Sequence, residues 1–136
     1  GNTVVAISPD SKALYHAAAV MVSNQIVALA DMGTALLVKC GFSEAAAAEA
    51  LSPLLLGNAQ SVAEKGAVNA LTGPIERGDA QTVSKHLQEI RKFAAESTVG
   101  QDILTAYTAL SKQLIRIAQQ KHPQKDYKHL EKELEQ

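Results

Sequence analysis

The sequence predicts an all-α protein, a multi-helix bundle around a long central N-terminal helix. Three observations carry that expectation. Apolar side chains recur at helical spacing along most of the chain, and no segment shows a convincing period-two alternation. Hydrophobic residues make up 46% of the 136 positions, yet only 4% are aromatic and tryptophan is absent. Alanine, leucine and valine must therefore fill the core, which favours closely approaching helices over an aromatic-rich β interior.

Ser8-Pro9-Asp10-Ser11 is a capping cluster whose side-chain oxygens can take the orphan N–H groups of a helix start. The helical pattern that follows runs to about Cys40 and stops at Gly41. Unbroken, such a helix spans roughly 45 Å. Leu14, Val20, Met21, Val22, Ile26, Val27, Leu29, Leu36, Leu37 and Val38 occupy nearly every face, so this helix is expected to be enclosed by partners. His16, Ser23, Asn24, Gln25 and Asp31 interrupt the apolar run, which reads as a buried helix of a soluble protein and not as a membrane span.

Ser43-Glu44 opens a second, alanine-rich helix, and Ser52-Pro53 predicts that it restarts or kinks there before ending near Gly66. A turn-rich segment, Leu71 to Asp79, comes next, and Asp79 is placed to cap a helix through about Phe93. In that helix Val83, Leu87 and Ile90 form a one-faced stripe. A break over residues 97–100 leads into another helix, which His122-Pro123 ends. The remainder, 123–136, is rich in Lys and Glu and reads as a charged helical tail on the surface or fraying. The chain thus divides into residues 1–7, a linker or remnant, a helical domain over 8–122, and the tail.

Thirteen basic and 14 acidic side chains give a formal net charge of −1, and no long basic run precedes the mixed-sign tail. A nucleic-acid surface needs clustered cations to displace counterions, so nucleic acid is excluded as the expected partner, and an anionic membrane with it. Cys40 is the sole cysteine. Its apolar helical setting predicts a buried thiol in a reducing, cytoplasmic compartment. No HxxxH or CxxC spacing occurs, so no metal site is expected, and no GxGxxG or P-loop is present.

The polar residues of the first helix cluster. His16, Ser23 and Thr34 fall in one stripe at helical spacing, with Asn24 and Asp31 beside it. His16 and Ser23 stand two turns apart, about 10 Å, too far for the imidazole to activate that serine. Two roles remain open for His16: a satisfied polar group in the core, or a general acid/base and substrate-orienting group, since imidazole titrates near neutrality. In the 71–79 segment, Arg77 and the N–H groups of the helix opened by Asp79 can together hold an anion, or Asp79 can pair with Arg77 and close the loop.

The stretches Tyr15-His16-Ala17-Ala18-Ala19-Val20, Ser23-Asn24 and Leu71-Thr72-Gly73-Pro74-Ile75 with Arg77-Gly78-Asp79 resemble one bacterial family. Its members are Rossmann-like proteins with a helical C-terminal domain of unknown function, often labelled NADP oxidoreductases of the deazaflavin-dependent type. The resemblance covers roughly residues 8 to 120. It implies a domain similar to the helical second domain of 6-phosphogluconate dehydrogenase-like enzymes, which forms a homodimer and completes the cleft facing the nicotinamide. His16 becomes the candidate catalytic residue by this resemblance, and Ser23, Asn24, Thr72, Gly73, Arg77 and Asp79 the candidate substrate- or cofactor-facing residues. NADP or NAD would be held by an N-terminal Rossmann domain of the same protein, which is missing here. Gly1-Asn2 resembles a cloning or cleavage remnant, and this stretch alone is expected to bind no cofactor and to transfer no hydride. The alternative is a non-catalytic helical interaction or ligand-sensing module, in which the polar stripe only fixes register.

Overall fold

The computed structural model describes residues 4–136, so the reading of Gly1-Asn2 as a remnant lies outside the described residues. Among them the fold is all-α, as the periodicity predicted. A 3-10 turn, Pro9–Ser11, leads into α1 (Lys12–Val22), α2 (Asn24–Lys39), α3 (Glu44–Ala70), α4 (Pro74–Arg77), α5 (Ala80–Glu96), α6 (Thr98–Lys121) and α7 (Lys128–Glu135). The chain divides into two compact units, residues 1–55 and 56–136.

In the first unit the long apolar pattern is two helices, broken at Ser23 (φ −110°, ψ −70°). The serine itself accounts for the break: its Oγ donates to the Ala19 carbonyl at 2.7 Å, a back-bond one turn up that bends helices. At the far end α2 stops as the sequence requires. Gly41 takes φ 96°, its N–H donates to the Val38 carbonyl, and the Phe42 N–H donates to the Leu37 carbonyl. That is a Schellman cap, and only glycine adopts its turning position at little cost. Cys40 sits at this exposed terminus, which corrects the expectation of a buried thiol.

Expected enclosure of the first helix is not met by the described residues of its own unit. No residue of α1 or α2 is buried, and Leu14 (75%), Val22 (76%) and Val27 (67%) stand open to solvent. The span Pro9–Lys39 is, by length and composition, apolar enough to cross a membrane. Ala47 is fully buried, and Gly33 of α2 meets Leu51 of α3 so closely that a Cβ there would lie 3.1 Å from the leucine Cδ1. Helix α3 runs through Pro53 without restarting and departs from helical dihedrals only at Gly66 (φ 74°, ψ 164°).

The second unit has a closed core. Val83 and Leu87 of α5, Ile115 and Ala118 of α6, and Ile75 of α4 pack with Tyr127, Leu130 and Leu134 from the tail. The stripe expected on α5 is therefore the face that is buried. Helices α5 and α6 turn on Ser97, whose Oγ accepts from the Gly100 N–H at 3.0 Å. Gly100 lies against the end of α5, where an added Cβ would sit 2.4 Å from the Phe93 carbonyl oxygen. The tail is helical and charged but does not fray: Tyr127 is 2%, Leu130 1% and Leu134 5% exposed, so its apolar residues complete the core.

Candidate functional site

The 71–79 segment owes its path to two glycines. Gly73 (φ 100°, ψ −170°) and Gly78 (φ 72°, ψ 26°) bracket the single turn of α4, both in backbone regions that other residues enter only with strain. Pro74 presets the first helical residue between them. Ile75 anchors the turn in the core, while Thr72 and the Arg77 side chain face solvent.

Asp79 caps α5. Its Oδ1 accepts from the Thr82 N–H at 3.0 Å and its Oδ2 from the Thr82 hydroxyl at 2.7 Å. Those hydrogen bonds, above all the one from the hydroxyl, hold the Asp79 carboxyl below the usual aspartate range, with lesser help from the charges of Arg77 and Lys85. Among the described residues no ion pair joins Asp79 to Arg77. The aspartate carboxylate is thus the anion at this helix start, and the Arg77 guanidinium has no hydrogen-bonded partner among the described residues.

Sequence reasoning missed what surrounds the loop. From the end of α6 and the segment beyond it, Lys121 Nζ donates to the Leu71 carbonyl at 2.8 Å, Lys125 Nζ to the Arg77 carbonyl at 2.6 Å, and the Tyr127 hydroxyl to the Glu76 carbonyl at 2.9 Å. The Glu76 carboxylate accepts from His122 Nε2 and lies 3.9 Å from Lys121 Nζ. The His122 hydrogen bond is the main cause that holds the Glu76 carboxyl down, against partial burial that raises it. Burial, with the Glu76 charge adding, pushes the Tyr127 phenol up. Lys121, His122, Pro123, Gln124 and Lys125 line a shallow open depression on this face.

His16, Ser23 and Asn24 lie in the first unit, all exposed, and Thr72, Gly73, Arg77 and Asp79 lie in the second. Of the first set, Ser23 Oγ, whose proton goes to the Ala19 carbonyl, stands 3.0 Å from Asn24 Oδ1, whereas the His16 side chain makes no hydrogen bond among the described residues. A further polar seam crosses α5 and α6: His86 Nδ1 and the Tyr107 hydroxyl are 2.9 Å apart with their rings edge to face, and burial pushes the Tyr107 phenol up. Its signal in the sequence was slight, one histidine and one tyrosine on different helices. No three His, Cys, Asp or Glu side chains among the described residues group as metal ligands.

These features define an all-helical domain with a solvent-facing arginine loop and an unenclosed apolar N-terminal half. The family described as "Domain of unknown function (DUF2520)" matches residues 1–114, and the chain belongs to it. The matched span stops short of Lys121, His122, Lys125 and Tyr127. No curated protein and no solved structure matches the chain.

Proposed function

We propose that this chain is the C-terminal, dimer-forming and substrate-facing domain of a cytoplasmic NAD(P)-dependent oxidoreductase-like protein, akin to the helical second domain of 6-phosphogluconate dehydrogenase-like enzymes. The observation that carries the reading is the apolar surface of α1, α2 and the start of α3. Leu14, Met21, Val22, Val27 and Leu54 are each more than 60% exposed. A surface of this kind marks an interface when it is contiguous. A lipid bilayer is the poorer partner for it, because Asp31 and the polar run Ser23-Asn24-Gln25 would enter the hydrocarbon at considerable cost. The sequence resemblance supports the nicotinamide context. Hydride chemistry would belong to a cofactor held by the Rossmann domain, with His16 handling a proton and Arg77 meeting an anionic substrate group. His16 is exposed and unbonded among the described residues, and the Arg77 side chain is likewise free, which leaves both available for those roles.

The test has two arms. Sedimentation of this chain at micromolar concentration should give a dimer, and Val22→Asp with Val27→Asp should give a monomer whose second unit stays folded, since each buried carboxylate opposes association by roughly several kcal/mol. A monomeric wild type overturns the dimer. Titration of NADPH into the protein that joins this domain to its Rossmann partner should show binding that survives Arg77→Ala, with binding of an anionic substrate analogue lost. Absence of nucleotide binding overturns the oxidoreductase reading independently.

A further inference from the structure

We propose that residues 121–127 form a strap that sets the conformation of the 71–79 loop, with Lys121, Lys125 and Tyr127 acting as positioning residues for Arg77. The loop has little holding of its own. Apart from Ile75 it buries no side chain, and α4 is a single turn of four residues between two glycines. Isolated turns of this length do not persist in water, because nucleation fixes several residues for one hydrogen bond.

The holding comes from far along the chain. Lys121 takes the carbonyl of Leu71 at the loop's start, 50 residues away, and Lys125 takes that of Arg77, 48 residues away, at its end. Tyr127 takes the carbonyl of Glu76 between them, and Lys125 Nζ approaches the same oxygen at 3.4 Å. The carbonyls of residues 76 and 77 belong to the last turn of α4, where an α-helix leaves its acceptors unpaired. The Lys125 stem also lies over Gly78, its Cε 3.1 Å from where a Cβ would be, and its ammonium stands 5.8 Å from the centre of the Tyr127 ring. Tyr127 itself is fixed in the core, so the strap ties the loop to α7.

Every hydrogen bond and ion pair from the strap to the loop goes to a backbone oxygen or to the Glu76 carboxylate, and none goes to the Arg77 side chain. The strap therefore fixes the direction in which Arg77 leaves the loop while keeping the guanidinium free. Release of the strap would let α4 open and would change what Arg77 presents. This device stands whether or not the chain faces an oxidoreductase substrate.

Amide hydrogen exchange on the full chain reads it directly. The N–H groups of Arg77, Gly78 and Asp79 donate to Gly73, Ile75 and Pro74 within the turn, so their exchange reports opening of α4. Tyr127→Phe keeps the buried ring and deletes the hydroxyl, and Lys125→Met keeps the stem and deletes the ammonium. Each should speed exchange of those three amides about fivefold relative to the core amides of Leu87 and Ile115, the loss expected for one hydrogen bond. Lys125→Arg, which keeps a cationic donor, should restore most of the protection. Exchange that is unchanged in the loop, or that rises equally in loop and core, overturns the proposal.

Discussion

Leu130 separates a docked tail from a fraying one. The side chain is 1% exposed and packs with Leu87, Ile115 and Leu134, whereas its neighbour His129 faces solvent. Leu130→Ala removes three buried carbon atoms from a core closed on all sides. Substitutions of this kind cost about 2–5 kcal/mol, and the high end requires surroundings that cannot collapse into the gap. Helix α7 is short, at 8 residues, and can move inward, so about 3 kcal/mol is the expected loss. At roughly 3–5 °C per kcal/mol for a chain of this size, the melting temperature should fall by about 10 °C. Thermal melts followed by circular dichroism, at one fixed protein concentration, provide the measurement. His129→Ala is the control and should melt within about 2 °C of the parent, as surface substitutions do. Equal melting of the two variants would show that residues 128–135 do not belong to the folded core.

Gly100→Ala should be among the most damaging single-methyl additions in the chain. The new carbon would sit 2.4 Å from the Phe93 carbonyl oxygen, and that oxygen belongs to backbone that cannot swing aside. Overpacking costs of about 1–3 kcal/mol or more are expected, read from the midpoint of urea unfolding. Asp79→Ala should lower the melting temperature at neutral pH by removing the α5 cap, while Asp79→Asn, still able to accept from the Thr82 N–H, should lose less. The Asp79 carboxyl is held below its ordinary value in the folded state, so its contribution is present in full above about pH 4, the unfolded titration range, and is lost as pH falls through the lower folded value. Melts of Asp79→Ala and the parent should therefore converge in acid. A gap that is constant from neutral to acid pH would show that the carboxylate charge contributes nothing.

Much of the second unit was legible. The stripe Val83, Leu87, Ile90 named the buried face of α5 because one-sided apolar spacing leaves a single way to face a core. Gly41 and Asp79 mark helix ends because their local chemistry is sufficient: a positive φ in one case, a side-chain acceptor in the other. The tail was misjudged since Lys and Glu outnumber its apolar residues, although Tyr127, Leu130 and Leu134 stand three and four apart, the spacing that made α5 readable. Glu76 and His122 are 46 residues apart and their pairing follows from packing alone, which no local pattern encodes. The break at Ser23 was missed for a subtler reason. A serine inside an apolar helix either points outward or back-bonds to the preceding turn, and its surroundings decide between the two.

The first helix raises the opposite problem, for there the composition was read correctly and the enclosure was not. An apolar pattern states that water must be excluded; it does not state which molecule excludes it. In the second unit the covering surface comes from the same chain, through α5, α6 and α7. In the first unit Ala47 is the sole fully buried residue among those described, and Val22 and Val27 remain open. Helices α1 and α2 have 11 and 16 residues, lengths at which helices alone in water are marginal. Under the dimer reading the missing surface is supplied by a second copy, and association and helix formation become one equilibrium. Dilution through the dimer dissociation constant would then remove helical signal from residues 12–39 along with the partner, since anything that binds only the folded form stabilises it by mass action. A helical signal independent of concentration, in a chain shown to dissociate over the same range, would separate folding from association and leave the exposed leucines and valines without that explanation.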